Sequence, residues 1–312
     1  MNMDKQKLGR VAVLMGGNSS ERAVSLRSGE AVYQALMAEG VSTQKIDTGA
    51  LDPWACVQQL KTCDRVFLAL HGSGGEGGSW QGLLDCLGIP YTGSQVKASA
   101  IAMDKLMTKR VWQSIGLPTP DYVQVVPDMK PQQLIARLGL PLIIKPAEGG
   151  SSLGMSKVIE IDQLEQACLA ATQWGGEVIA ERWIHGSEYT VAILDQTPLP
   201  AIALKTPRDF YDYQAKYEEQ TTQYQCPCGL SEADERALGE LCLRAFNSLG
   251  CVGWGRVDVM RDQQGQFWLL EVNTIPGLTN RSLVPMAAAQ LDIPFNDLVL
   301  KILATTLLDV HH

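Results

Sequence analysis

Apolar positions along the chain follow two successive patterns. Up to about residue 95, short apolar runs that end in glycine turns alternate with stretches of helical period. "VAVLMGG", Val11 to Gly17, reads as a strand closing on a glycine turn. After it, Ala31, Val32, Ala35 and Leu36 fall on one helical face, and Asn18 and Glu21 stand at capping-box spacing ahead of them. "RVFLALHG" reads as a further strand and "GIPYTGS" as the next turn. The rhythm predicts a small parallel sheet. One helix is expected over Lys97–Ile115, stopped by Gly116 and Pro118.

Beyond that helix the pattern becomes antiparallel. "LPLIIKPAEGGSSLGMSKVI" predicts strand, Gly/Ser loop, strand; "EVIAERWI" and "YTVAILD" predict two more strands. A helix is expected from Ser231, with Leu238, Leu241, Cys242, Ala245 and Phe246 buried and Gly250 at its end. "GRVDVMRDQQGQFWLLEVN" predicts a second hairpin, followed by a Gly/Pro loop and two C-terminal helices. The expected fold class is α/β, with α+β character after the first of three domains; boundaries are expected near residues 97 and 187.

The second hairpin carries the clearest chemistry. Strand side chains alternate between faces, so Arg256, Asp258 and Met260 are expected on one face, and Leu269, Glu271 and Asn273 on one face of the partner strand. A turn centred on Gln264–Gly265 pairs Asp258 with Glu271 and Arg256 with Asn273. Two carboxylates directly opposed, at about 5 Å between Cβ atoms, repel unless a cation neutralises them. With Asn273 they form a hard-oxygen set suited to Mg²⁺ held together with a phosphate; the alternative is a solvated hairpin bearing surface acids. Arg256 beside them suggests a second anion. "KPAEGGSSLG" offers backbone N–H groups, permissive glycines and Lys145 at a strand end, the makings of a phosphate cradle. It lacks G-K-[ST], and a flexible surface hairpin is its plain alternative.

Two other matches are weak. "GSGGEG" fits G-x-G-x-x-G, yet the region about twenty residues on, "TGSQVK", has no carboxylate for a ribose. "GSSLG" fits G-x-S-x-G, yet a strand is expected after it and His185 and the terminal pair are the only later histidines. The net charge of −8, without a long basic run, argues against nucleic acid as a partner. No apolar run reaches membrane length, and the polar N-terminus predicts no export. Eight scattered cysteines are expected to be reduced, in a cytoplasmic protein. "FYDYQAKYEEQTTQY", Phe210 to Tyr224, holds four of the eight tyrosines on a segment without apolar period.

"KPAEGGSSLG", "GRVDVM" and "LLEVNTIPG" together resemble an ATP-grasp enzyme. "LMGGNSSER", "LHGSGGEGG", "MDKL", "FYDYQAKY" and "TNRSLVPMA" narrow the resemblance to the D-alanine–D-alanine ligase family, in order over nearly the whole chain. The resemblance implies an enzyme that joins two D-alanines as ATP becomes ADP and phosphate, through an acyl phosphate, for peptidoglycan synthesis. It implies an N-terminal substrate-binding domain over residues 1–97, a central ATP-grasp domain over 98–187 and a C-terminal one over 188–312. It also implies two Mg²⁺ ions, replaceable by Mn²⁺, a cytoplasmic homodimer, and no nucleic-acid or membrane partner.

Roles carried over by the resemblance are as follows. Lys105 and Lys145 match the lysines on the ATP phosphates, and the loop with Gly150, Ser151 and Ser152 closes over them. Glu181, Trp183 and Ile184 match the adenine clamp, Glu188 the ribose ligand, and Lys216 a residue reaching the bound substrates. Asp258, Glu271 and Asn273 match the metal ligands, with Glu271 bridging. Glu21 and His71 match the first D-alanine subsite. Arg256 and the Gly277 N–H match the oxyanion hole, and Ser282 with Leu283 the anchor of the second carboxylate. Ser151 matches the link from Glu21 to Tyr217, and the tyrosine-rich segment matches a lid that excludes water. Tyr217 is the residue type the family associates with dipeptide formation; a D-alanine–D-lactate or D-alanine–D-serine ligase is the alternative. A non-catalytic ATP-binding regulator would be expected to lose a metal ligand or Arg256, and all are present. Gly77, Trp80, Arg182, Ile275 and Asn280–Arg281 depart from the family pattern, with Gly77 expected to loosen the loop after His71.

Overall fold

The computed structural model describes residues 5–150, 152–205 and 222–307. The first sheet is parallel, with β1 (Val11–Met15) between β2 (Thr43–Asp47) and β3 (Arg65–Leu68). Every residue of β1 is buried, as a continuous apolar run between two parallel neighbours should be. In β2, "TQKID", only Ile46 is buried, and it carries no apolar run for a reading of the sequence to find. Helix α1 (Arg22–Ala38) buries Val32, Ala35 and Leu36 as expected. The expected capping box is absent: Glu21 is the N-cap residue and makes no side-chain cap bond. Ser19 Oγ instead accepts from the Glu21 N–H at 3.2 Å and donates to the His71 carbonyl at 2.8 Å. The Glu21 side chain is thereby left to a cavity described below. Helices α2 (Pro53–Leu60), α3 (Ser73–Glu76) and α4 (Ser79–Leu87) complete this part.

The single helix expected over Lys97–Ile115 is two, α5 (Val96–Met103) and α6 (Lys105–Ser114). The break is at Asp104, whose backbone is extended and whose carboxylate accepts from the Leu106 and Met107 N–H groups at 2.9 and 3.0 Å. A capping aspartate satisfies two otherwise unpartnered amides, and it sets Lys105 as the first residue of the new helix.

The second sheet holds β4 (Tyr122–Val125), β5 (Leu142–Pro146), β6 (Ser156–Val158) and β7 (Val178–Arg182), antiparallel in the order β4-β7-β5-β6. Helices α7 (Pro131–Leu138) and α8 (Leu164–Thr172) bury Leu134, Leu138, Leu164, Ala167 and Ala171 in its core. A strand, not a helix, follows the "GSSLG" loop. The third sheet is also antiparallel, in the order β11-β10-β8-β12-β13, with β9 (Thr197–Pro198) on β8. Its strands are β8 (Gly186–Leu194), β10 (Ile202–Lys205), β11 (Gln223–Gln225), β12 (Trp254–Asp262) and β13 (Phe267–Asn273). Helix α9 (Glu232–Ser248), capped by Ser231 Oγ on the Asp234 N–H, packs Leu238, Cys242, Ala245 and Phe246 on this sheet; Leu241 is only partly buried. Helices α10 (Leu283–Ala289) and α11 (Phe295–Ala304) return to the first sheet and share its core.

The β12–β13 hairpin has the expected pairs Arg256–Asn273 and Asp258–Glu271, but not the expected turn. Nearer the turn, Val259 pairs with Leu269 and Met260 with Trp268. One extra residue, Leu270, is therefore bulged between the two registers. The bulge corrects one expectation: Leu269 is fully buried in the core with Val257 and Val272, and Leu270 takes its place on the side of Glu271. All eight cysteines are free. No helix among the described residues is long and apolar enough to cross a membrane.

Asp104→Ala removes both cap bonds and should lower the stability of the chain by about 1 kcal/mol, read from the midpoint of chemical denaturation; an unchanged midpoint would mean that the break does not depend on its cap.

Candidate active site

Two chambers open between the sheets. The first, about 360 Å³, lies between the second and third sheets. Register builds its wall: Ile143 of β5 pairs with Glu181 of β7, so Lys145, two residues on, stands diagonally from Glu181 on the same face. Lys105 comes from the start of α6, and Asp258, Leu270 and Glu271 from the hairpin. Lys105 Nζ donates to the Gly149 carbonyl at 2.6 Å and lies 3.6 Å from the Glu271 carboxylate. Lys145 Nζ is 3.1 Å from Glu181. All the described residues expected to serve the nucleotide line this chamber: Lys105, Lys145, Gly150, Ser152, Glu181, Trp183, Ile184 and Glu188.

The second chamber, about 260 Å³, lies between the start of α1, the loop after β3 and the loop after β13. Glu21, His71, Arg256, Gly277, Ser282 and Leu283 line it, together with Asn273. Glu271 and Gly150 line both chambers. Gly150 and Glu21 approach closely, since a Cβ on Gly150 would sit 2.9 Å from a Glu21 carboxylate oxygen. Ser151, Lys216 and Tyr217, and all of the proposed lid but its last residues, lie outside the described residues.

Asp258 is bonded by side chains of β8, β12 and β13. Arg256 grips it with two bonds, Nε to Oδ1 at 2.9 Å and Nη2 to Oδ2 at 2.8 Å. Thr190 Oγ1 donates to Oδ1 at 2.6 Å and Asn273 Nδ2 to Oδ2 at 3.0 Å. Thr190, missed in the sequence, pairs directly with Asp258 across β8 and β12. The Arg256 guanidinium is thus ion-paired with the neighbouring acid. No three His, Cys, Asp or Glu side chains among the described residues form a metal cluster. The expected set is two carboxylates and one amide, and its chemistry suits a hard cation: the acids face one another, and Asn273 uses its nitrogen on Asp258, outside which bond its amide oxygen remains.

The second chamber is tied together across sequence by its buried polar groups. His71 Nδ1 bonds the Ile275 carbonyl at 2.8 Å and Nε2 bonds Ser28 Oγ at 3.0 Å. Burial pushes the His71 imidazole below its ordinary value, against the opposing charge of Glu21. Glu76, also missed in the sequence, accepts from the Gly72 N–H at 2.9 Å and the Ile275 N–H at 3.2 Å. Burial first, then the charge of Glu21, pushes its carboxyl up to about 8. Ser282 Oγ accepts from the Thr279 N–H at 2.9 Å. Gly77 does not loosen this region: its N–H bonds the Ser73 carbonyl, and a Cβ there would sit 2.5 Å from that oxygen. Ile275 is core, Arg182 stacks over the Trp268 ring at 4.7 Å, and Arg281 lines the chamber beside Ser282.

A buried acid with a raised value binds a proton in the folded chain that the unfolded chain releases near 4.5. The stability owed to Glu76 therefore falls as pH rises from about 4.5 and is fully lost by about 8. Denaturation at pH 5 and pH 8 should show wild type losing more stability than Glu76→Gln; equal losses would remove Glu76 from this role.

Known proteins give the two chambers a context. Family models described as D-ala D-ala ligase N-terminus and C-terminus match residues 42–94 and 111–304. A D-alanine–D-alanine ligase of Pseudomonas putida (strain GB-1) is 54% identical over 302 residues, covering 97% of this chain and 94% of its own. One from Acinetobacter baumannii is 51% identical over 304 residues, covering 96% and 97%. The solved D-alanine–D-alanine ligase from Bacillus anthracis complexed with ATP superposes with a TM-score of 0.84 at 31% identity, covering 96% and 97%. The VanG D-Ala:D-Ser ligase from Enterococcus faecalis superposes with 0.82 at 27% identity, covering 95% and 99%. With a matching fold, matching family models and relatives identical at more than half their positions, the chain belongs to the D-alanine–D-alanine ligase family.

Proposed function

We propose that this ligase joins two D-alanines into D-alanyl-D-alanine, with ATP converted to ADP and phosphate, to supply peptidoglycan synthesis. The observation that carries the reading is the meeting of two chambers at Glu271: one is lined by lysines and a glycine loop, the other by Glu21, Arg256 and Ser282. A carboxylate held where they meet is within reach of a phosphoryl group from one side and an amine from the other.

The first D-alanine lies in the second chamber with its ammonium against Glu21. Its carboxylate oxygen attacks the γ-phosphorus, the bond to the β-phosphate oxygen breaks, and ADP leaves as the acyl phosphate forms. Lys105 and Lys145 hold the phosphates, with Gly150, Ser151 and Ser152 over them. Glu181, Trp183, Ile184 and Glu188 hold the nucleoside, and Lys216 reaches the substrates. Ser282 and Leu283 orient the second D-alanine, whose neutral amine attacks the acyl carbon. Arg256 and the Gly277 N–H stabilise the tetrahedral oxyanion, and phosphate leaves as the amide forms. Asp258, Glu271 and Asn273 would hold Mg²⁺, two ions with Mn²⁺ as a substitute, whose charge shields the phosphoryl oxygens. Ser151 and Tyr217 link to Glu21 as the lid closes. We further propose three domains divided near residues 97 and 187, in a cytoplasmic homodimer; the succession of three separate sheets supports the division.

The D-Ala:D-Ser relative keeps one alternative, a different second substrate, at much lower identity. ADP release measured with D-alanine, L-alanine, D-serine and D-lactate near neutral pH should be highest with D-alanine and negligible with L-alanine. Equal rates with both alanines would sink the reading, and preference for D-serine or D-lactate would shift it to the alternative. Glu271→Ala should reduce turnover by a factor of roughly 10³ or more in a chain of native circular dichroism; retained turnover would refute the metal role.

A further inference from the structure

Lys109 lies in neither chamber, and its side chain is fully buried. It stands four residues after Lys105 on α6, one helical turn deeper along the same face. Its Nζ forms an ion pair with the Glu181 carboxylate at 2.7 Å, donates to Thr119 Oγ1 at 2.6 Å, and sits 5.6 Å from the centre of the Tyr122 ring. Thr119 Oγ1 donates in turn to the Leu269 carbonyl at 2.9 Å, next to the bulged Leu270. The same Glu181 oxygen pairs with the Lys145 ammonium as well, at 3.1 Å. The lysine, the glutamate and the second lysine thus form a line from the protein interior to the wall of the first chamber.

The charges decide what this line does. Two ammonium groups and one carboxylate carry a net charge of +1, and the outward member is Lys145. Without Lys109, Lys145 and Glu181 would be a neutral pair, and the chamber wall would lose that net charge. We propose that Lys109 is a positioning residue for nucleotide binding: by neutralising Glu181 from behind, it leaves the Lys145 cation to the phosphates of a nucleoside triphosphate. The identity of that ligand rests on the ligase reading above. A lysine in this place opposes its own burial, which pushes the ammonium down to about 8 against the pull of Glu181; at neutral pH it remains mostly cationic. The two lysines share the stabilisation of Glu181, whose carboxyl burial alone would raise but whose cations hold it below its ordinary value.

Lys109→Met keeps the length of the side chain and removes the charge. Steady-state ADP release should show the KM for ATP raised roughly tenfold or more, with the KM for D-alanine within about twofold of wild type. In a Glu181→Gln background, where no carboxylate needs neutralising, the same substitution should change the ATP KM by less than about twofold. A residue that merely supports the core would lower the melting temperature, would shift both KM values or neither, and would act equally in both backgrounds; any of those kinetic results overturns the proposal. Should Lys109→Met fail to fold, Thr119→Val removes one hydrogen-bonding partner of Lys109 and leaves its charge. A two- to fivefold rise in ATP KM with D-alanine unaffected is then expected, and no rise overturns the proposal. If wild type itself shows no D-alanine-dependent ADP release, the ligase reading fails, and calorimetric titration with ADP carries the same comparisons for Lys109.

Discussion

Asp258 and Glu271 face each other across an antiparallel ladder, and the site is organised around their repulsion. Two unit charges about 5 Å apart repel by on the order of 3 kcal/mol at an effective dielectric constant of about 20, enough to disfavour the hairpin unless compensated. The compensation is visible. Asp258 takes two bonds from Arg256 and one each from Thr190 and Asn273, while Lys105 stands near Glu271. Three helpers stand on adjacent strands of the third sheet, β8, β12 and β13, and Lys105 comes from α6, so the opposed acids sit where that helix start meets the sheet. The bulge at Leu270 sends the core-facing residues of β13 inward without disturbing the Asp258–Glu271 pair.

The same solution recurs at Glu181, a buried acid between two lysines of different elements. In both places a carboxylate is stabilised by cations that also face, or stand behind, a chamber. The first chamber is therefore lined by cations and acids side by side, with Lys105 and Lys145 each set against a carboxylate.

The second chamber depends on connections distant in sequence. His71 and Glu76, from the loop and helix after β3, bond opposite sides of the Ile275 backbone, and Ser28 of α1 bonds both His71 and the Leu278 N–H. These bonds, with α10 and α11 packed into the core of the first sheet, hold the two ends of the chain around one cavity. Movement of either end would alter the distance from Glu21 to Ser282, both of which line it.

Local pattern determined a good deal by itself. The apolar runs of β1, β3, β5, β7 and β8 were legible because burial on both faces leaves a continuous signal, and the pairing of Asp258 with Glu271 because strand alternation admits few registers. The phosphate loop and the acids were legible as chemistry, and family motifs assigned the remaining roles. Other features were decided only in three dimensions. The polar β2 is a strand because it pairs with β1; α5 and α6 separate because Asp104 caps the second; Glu21 is released from capping because Ser19 is drawn to the His71 carbonyl. Lys109, Thr190 and Glu76 look like ordinary polar residues in the sequence. They acquire roles through partners 72, 68 and 199 positions away, and the free energy of a buried charge depends on those partners rather than on its neighbours in the chain.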